Sequence, residues 1–268
     1  MKLAVIADIH GNIRALEAVL EHIERSDVDE IIVAGDVVNV LPDAKACWDR
    51  VSALACPMLL GNHERYVFSY GTPDAEPVWH TERFQLLRWM QAQFSADDLA
   101  TMRQLPLSYR QPGLLVVHAT PRSEFGGIFD HTPRSEVEEM FAGVQEPLVI
   151  RGHNHTWRET PLAKTTVVTV GALGLPLNGR REAQYALLEQ RSGAWRYQAQ
   201  YVPYDHRAVL KELNTSDYFE HAGPIGHIFA HELAEARPHI LLFFKQYLRA
   251  VDSGELSLAQ AVKRYLNG

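Results

Sequence analysis

The chain has 268 residues, of which 46% are hydrophobic and 22% charged, with a formal net charge of −7 and a sequence pI near 6.0. This composition suits a globular fold with a sizeable core and excludes a disordered or low-complexity chain. The acidic balance excludes an overall basic field for nucleic acid or an anionic membrane. The two cysteines, Cys47 and Cys56, are too few for a disulfide scaffold and form no CxxC clip.

Residues 2–7, "KLAVIA", are a short apolar run closed by Asp8 and Gly11, which predicts a strand buried on both faces. In "NIRALEAVLEHIER", residues Ile13, Leu16, Val19, Leu20 and Ile23 recur at three- and four-residue steps, so a helix with one apolar face follows, with Asn12 as its N-cap. The alternation repeats: "EIIVAGD" as strand, "PDAKACWDRVSAL" as helix, and "PMLLGNH" as a strand running into a polar turn. Such alternation requires crossovers and a largely parallel sheet. Residues 78–105 read as helical, with Phe84, Leu87 and Met90 at helical spacing and a second start at Ser95, whose partner Asp98 makes a capping box.

From residue 114 onward strands come closer together. "LLVVHATP", "LVIRGHNH", "TTVVTVGA", "AQYALLEQ" and "WRYQAQYV" are interrupted only by "SEVEEMFAG", a short helix expected to open on a capping box at Ser135. After about residue 204 helices return in "DHRAVLKELN", "RPHILLFFKQYLRAV" and "LSLAQAVKRYLNG". Residues 1–204 are therefore expected to form one domain and residues 205–268 a helical extension packed on it, because alone this segment would bury only a modest core. The apolar run from Ile240 to Phe244 falls far short of the ~18 residues a membrane helix needs. The N-terminus, "MKLAVIADIHGN", shows no secretion signal, and removing one would remove Asp8 and His10, so a cytoplasmic protein is expected.

Five polar clusters each follow a predicted strand: Asp8-Ile9-His10, Gly35-Asp36, Gly61-Asn62-His63-Glu64, His118, and Gly152-His153-Asn154-His155. Singly, each reads as a turn, a helix cap or a core histidine. Together they gain meaning, because ligands of crossover-built sheets gather at the carboxyl ends of the strands. Converging carboxylates and imidazoles are costly to hold together without positive charge, and divalent cations supply it. Asp8, His10, Asp36, Asn62, His118, His153 and His155 offer oxygen and nitrogen donors without a thiolate, more than one first-row metal would take from protein alone, so two ions are expected. Two metals about 3.5–4 Å apart can hold a hydroxide between them and clamp the oxygens of a phosphoryl group through in-line displacement. His63, beside a ligand but facing another way, can give a proton to the departing alkoxide; its competing reading is a residue that orients a ligand.

At these residues the sequence resembles the calcineurin-like metallophosphoesterase superfamily, whose blocks Asp-x-His, Gly-Asp, Gly-Asn-His-Glu, His and Gly-His-x-His occur here in order as "DIH", "GD", "GNHE", "VVHA" and "GHNH". The match is closest to small bacterial phosphodiesterases, whose first block continues as in "DIHGNIRALEAVL". The resemblance implies a four-layer α/β/β/α sandwich of two mixed sheets. It also implies that Asp8, His10, Asp36 and His155 hold one metal, that Asp36, Asn62, His118 and His153 hold the other, and that His63 is the proton donor. The protein serine/threonine phosphatases and the enzymes that split symmetrical dinucleoside tetraphosphates carry two phosphate-gripping arginines, where this chain has "GDVVNVL" and Leu60. Ala119 stands where glycine is frequent in the family.

The expected function is a metal-dependent phosphoesterase, foremost a phosphodiesterase and secondarily a phosphomonoesterase, acting on a small phosphoester. Manganese is the expected ion, and mixed O/N ligation also admits iron, nickel, cobalt or zinc. A non-catalytic interaction module on the same fold is the alternative from another class, and the filled ligand positions argue against it. A nuclease-type phosphodiesterase would need a binding surface that the acidic balance does not offer. Arg122, Arg134, Arg180 and Arg181 lie on expected loops, as solvated surface residues or as grips for a substrate's flank. His227 and His231 stand four apart, a spacing that can bind zinc on a helix, but no Glu follows the first His as a metalloprotease motif requires. Whether the protein is a homo-oligomer is left open by the sequence.

Overall fold

The chain, described over residues 1–268 by a computed structural model, first runs β1 (Lys2–Ile6), α1 (Ile13–Glu24), β2 (Glu30–Val33), α2 (Ala44–Ser52), α3 (Asn62–Ser69), α4 (Gln85–Gln91) and α5 (Ala96–Arg103). It continues through β3 (Ser108–Gln111), β4 (Leu114–Val117), α6 (Arg134–Met140), β5 (Leu148–Arg151), β6 (Arg158–Pro161), β7 (Thr166–Thr169), β8 (Ala183–Arg191) and β9 (Ala194–Val202). Five helices close it: α7 (His206–Thr215), α8 (Tyr218–Ala222), α9 (Pro224–Glu235), α10 (His239–Asp252) and α11 (Leu258–Leu266). The strands make two mixed sheets, ordered β2-β1-β8-β9 and β3-β4-β5-β7-β6, with β1 parallel to β2 and β4, β5 and β7 parallel to one another.

Strand alternation sorts the core into layers, since successive side chains point to opposite faces. Leu3, Val5, Ala186 and Leu188 of the first sheet meet Leu114, Val116, Ile150 and Val168 of the second in a core between the sheets. Ala4, Ile6 and Tyr185 face the other way, into the core shared with α1 and α2, where Leu16, Val19, Leu20 and Trp48 lie. Leu115, Val117, Val149 and Val167 point outward from the second sheet onto Val137 and Phe141 at α6. The architecture is the expected α/β/β/α sandwich. Asn12 caps α1, its Oδ1 accepting from the Ala15 N–H at 3.1 Å, and Ser95 with Asp98 forms the capping box of α5.

Three local expectations are corrected. "PMLLGNH" contributes only a single parallel bridge, Val33 to Met58, because Asn62 already begins α3. The helix near Ser135 starts one residue earlier after Pro133, with no side-chain cap. Residues 77–84 form two 3-10 turns before α4 rather than continuous helix, and the short strands β3 and β6, intermediate to exposed, carry too weak an apolar signal to have been read.

The C-terminal helices attach in two ways. Val209, Leu213, Tyr218, Ala222 and Leu233 join the core over the first sheet, whereas Ile228, Phe243, Leu258 and Val262 build a small cluster of their own among α9, α10 and α11. The fully buried Tyr218 donates its hydroxyl to the Val40 carbonyl at 3.0 Å. Val40 is a β-branched residue at φ 73°, in a region such residues avoid, so this bond pins a strained turn. Replacing Tyr218 with Phe leaves that buried carbonyl without its partner and should cost about 1–3 kcal/mol in urea unfolding; an unchanged midpoint would deny the bond this role.

Glu232 on α9 is 1% exposed, and its Oε2 has no partner. Burial pushes this carboxyl up to about 8, above its ordinary value of 4.5. A folded-state value raised above the unfolded one means the folded protein holds the proton more tightly, so this group's contribution to stability is full below about pH 4.5 and is lost as pH rises to about 8. Thermal melts of the wild type and Glu232→Gln should therefore diverge between pH 5 and pH 9, with the wild type losing ground; parallel profiles would contradict this.

Candidate metal centre

The C-terminal ends of β1 and β2 in one sheet, and of β4 and β5 in the other, each lead directly into one of the polar clusters. The turns that follow are unusual in backbone. Asp8, His10, Asp36, His153 and His155 all lie at positive φ, between 50° and 75°. For non-glycine residues this conformation costs about 1 kcal/mol or more each, and it persists only where the surroundings over-determine it. Here they do: Ile9 N–H and His10 N–H both donate to the Asp36 carbonyl at 2.8 and 3.0 Å, Gly174 N–H donates to the Asp8 carbonyl at 2.9 Å, and Gly152 N–H to the His118 carbonyl at 2.9 Å.

These turns bring together all eight residues singled out in the sequence. His10 Nε2 and His155 Nε2 lie 3.0 Å apart. His155 Nε2 is 3.8 Å from Asp8 Oδ1, and His10 Nε2 is 3.7 Å from Asp36 Oδ2. His118 Nε2 is 3.4 Å from the same Oδ2. Asn62 Oδ1 sits 2.9 Å from both His118 Nε2 and His153 Nδ1. The titratable ligands thus fall into two groups able to hold a cation, Asp8, His10, Asp36 and His155 in one and Asp36, His118 and His153 in the other.

Tautomers follow from the outer contacts. His118 Nδ1–H donates to the Ala34 carbonyl at 2.8 Å and His155 Nδ1–H to the Leu175 carbonyl at 2.7 Å. Both Nε2 atoms therefore face inward, the orientation a metal-binding imidazole needs. The salt-bridge partners of the buried Asp8 and Asp36 are histidines, not Lys or Arg. Arg151 is fully buried nearby, but its N–H groups go to Ala119 O, Gly126 O, Asn154 Oδ1 and Thr169 Oγ1. Two buried carboxylates whose ion-pair partners are imidazoles match the donor set of divalent ions taking oxygen and nitrogen.

The electrostatics agree. Burial pushes Asp36 up, but the His118 and His63 charges outweigh it and hold Asp36 well below the usual carboxylate range. Burial also raises Asp8 against the pull of His155 and His118. Burial depresses His118, and Asp36 more than reverses this, to about 9. His10 and His153 are held well below ordinary imidazole values, by burial first and then by neighbouring histidines.

His63 belongs to the first turn of α3 with Asn62, and its ring lies beside Asp36 and His10 without joining either donor group. Its backbone N–H donates to Asp36 Oδ1 at 2.9 Å, its Nε2 is 4.0 Å from Asp36 Oδ2, and its ring meets His10 edge-on at 4.6 Å between centroids. Asn39 places its side-chain amide 2.9 Å from His63 Nδ1. Sequence reasoning missed this residue, although it lies three positions after Asp36 in the same turn. It also missed Arg151, which ties the loop after β4 to the Gly152–His155 turn, and the role of Glu64. The Glu64 carboxylate accepts from the N–H groups of Asp36, Val37, Val38 and Gly61 at 2.8–3.2 Å. Burial and the Asp36 charge push Glu64 up to about 7 against the pull of those donors.

Other candidates separate from the site. His227 stacks on Phe219, with ring centroids 4.2 Å apart, and makes no pair with His231. His231 and His239 instead flank Glu235, at 3.6 and 3.0 Å. Arg122 and Arg181 bond backbone carbonyls, Arg134 pairs with Glu138 along α6, and Arg180 lies over the Tyr201 ring. None of the four lines the cavity at the centre.

A Cβ on Gly61 would fall 2.2 Å from Asp36 Oδ1 and 2.3 Å from its backbone nitrogen. Gly61→Ala should therefore displace Asp36, lowering divalent-ion affinity at least tenfold by calorimetric titration; wild-type affinity would show that the turn tolerates a side chain.

A family model described as the calcineurin-like phosphoesterase superfamily domain matches residues 1–193. An uncharacterized protein of Methanocaldococcus jannaschii is 23% identical over 232 residues, covering 79% of this chain and 91% of the relative. Among solved structures, a metallophosphoesterase from Sphaerobacter thermophilus aligns with a TM-score of 0.68 at 23% identity, covering 88% of this chain and 100% of that one. A hypothetical protein from Pyrococcus horikoshii aligns with a TM-score of 0.69 at 18% identity, covering 85% and 97%. No helix is long and apolar enough to cross a membrane.

Proposed function

We propose, from the premise that this chain belongs to the calcineurin-like phosphoesterase superfamily and is a metal-dependent hydrolase of phosphoric esters, that it is a phosphodiesterase with a two-metal centre shared through Asp36. Asp8, His10, Asp36 and His155 would hold one ion and Asp36, Asn62, His118 and His153 the other, with manganese the expected metal. The observation that carries this reading is the convergence of two donor groups on one buried carboxylate. When bound, the ions supply an activated water and positive charge for the phosphoryl oxygens.

In the reaction, the water oxygen forms a bond to phosphorus as the opposite ester P–O bond breaks in line, and the departing oxygen leaves with the bonding pair. That oxygen then needs a proton, and His63 lies beside the ligands without being one of them. Burial, aided by His155 and His118, holds His63 below the ordinary imidazole range, which makes its protonated form a good donor. Asn39 suits both states of the ring: its Nδ2 donates to an unprotonated Nδ1, and its otherwise unpartnered Oδ1 accepts from Nδ1–H once the amide turns over. Asn39 is thus a positioning residue for His63.

A diester rather than a monoester fits the charges. Arg83, the single Lys or Arg among the residues lining the cavity, is paired with Asp252 at 3.5 Å, so the wall carries little net positive charge for the second charge of a monoester. The same scarcity of cations argues against a nucleic-acid substrate.

The test is hydrolysis of aryl phosphodiesters by manganese-loaded protein. For a phenyl leaving group, His63→Ala should lower kcat about 100-fold or more, and much less for p-nitrophenyl, which departs without a proton. Asn39→Ala should lower kcat for the phenyl ester about tenfold, with KM little changed. Activity that survives chelation, or a His63→Ala loss independent of the leaving group, would reject the assignment.

A further inference from the structure

The metal-binding cluster forms one end of a cavity of about 350 Å³ whose character changes sharply away from the ligands. Beyond His10, His63 and His155 the wall is apolar: Phe84 and Leu87 come from the α4 region, Leu177 from the loop after β7, Phe229 from α9, and Ile240 and Phe244 from α10. At the mouth stand Leu241, 52% exposed, and Phe129, 39% exposed, two of the few large apolar side chains that face solvent on this protein. Exposed apolar groups gathered at the entrance of a cleft mark a binding surface rather than scattered surface hydrophobics.

Two polar groups in this wall sharpen the picture. Arg83, the one Lys or Arg in this wall, pairs with Asp252 at 3.5 Å, so the wall carries little net positive charge to attract a second phosphate, a nucleotide backbone or a carboxylate. Glu232 faces the cavity with its Oε2 unpartnered. Its raised value, about 8, leaves it mainly uncharged at pH 7, so the wall gains a hydrogen-bonding point without a buried charge. His63 lines the same cavity, with Val40 and Tyr66 beside it. The oxygen that receives the His63 proton therefore departs into apolar surroundings.

We propose that the ester group released here is a bulky, predominantly apolar alcohol, seated against α9 and α10, rather than a nucleoside or a phosphorylated group. This deepens the phosphodiesterase reading and rests on it for the position of the phosphoryl group. The helices after residue 204 then have a role in substrate selection, because they supply most of the wall farthest from the ligands.

The inference is tested by binding rather than turnover. n-Alkylphosphonates from methyl to octyl, whose C–P bond resists hydrolysis, are titrated into the manganese-loaded full chain by calorimetry. Kd should tighten about threefold per added methylene while the cavity fills, giving about a 240-fold gain from methyl to hexyl. Leu241→Asp, a change at an exposed position, should weaken octylphosphonate at least about fivefold and leave methylphosphonate within twofold. A flat series, with octyl within threefold of methyl, overturns the inference and leaves the hydrolase assignment standing. Failure of the two-metal reading shows separately, as chelator-resistant or absent diester hydrolysis, while the chain-length series still decides the fate of the apolar site. Absence of binding by every member, octyl included, also overturns the inference.

Discussion

The carboxylate of Asp36 is the constraint on which the rest of the site depends. It is buried, it lies in the reach of His10, His63 and His118, and it receives the His63 backbone N–H. A charge in that position is sustainable only if compensating charge and hydrogen bonds are brought to it. The fold provides this by ending strands of two sheets at one edge and turning each chain segment sharply enough to point imidazoles inward. The left-handed backbone at Asp8, His10, Asp36, His153 and His155 is the cost of that geometry.

The supporting structure explains how such strain survives. Glu64 gathers four backbone N–H groups and so locks the turn after β2 to the start of α3. Arg151 does the same between the loop after β4 and the turn after β5. Tyr218, from the C-terminal helices, secures the turn at Val40. These residues lie outside the two donor groups, yet each ties down a turn that carries, or lies beside, one of the candidate site residues. The helices after residue 204 therefore serve the site twice, by bracing it and by walling its cavity with Phe229, Ile240 and Phe244.

Much of this was legible in the sequence. The apolar runs before Asp8, Asp36 and His118 were readable as buried strands because both faces of each strand are covered, and the ordered polar blocks named the residues that the fold brings together. What stayed hidden follows from physical causes. β3 and β6 bury little and show no run of apolar residues. Asn39 and Arg151 act through contacts with residues far along the chain or in another turn, and a lone Asn or an Arg at the end of a strand carries no periodic signal. The His227 and His231 spacing looked ligand-like along one helix, but stacking on Phe219 takes His227 elsewhere. The apolar cavity could not be read at all, since its walls come from segments more than a hundred residues apart, including Phe84 and Phe244.

Anomalous diffraction from crystals of the manganese-loaded protein, collected at the manganese edge, addresses the shared carboxylate directly. Two peaks about 3.5–4 Å apart, one on each side of Asp36, are the predicted result. A single peak, or ions bound away from Asp36, would contradict it.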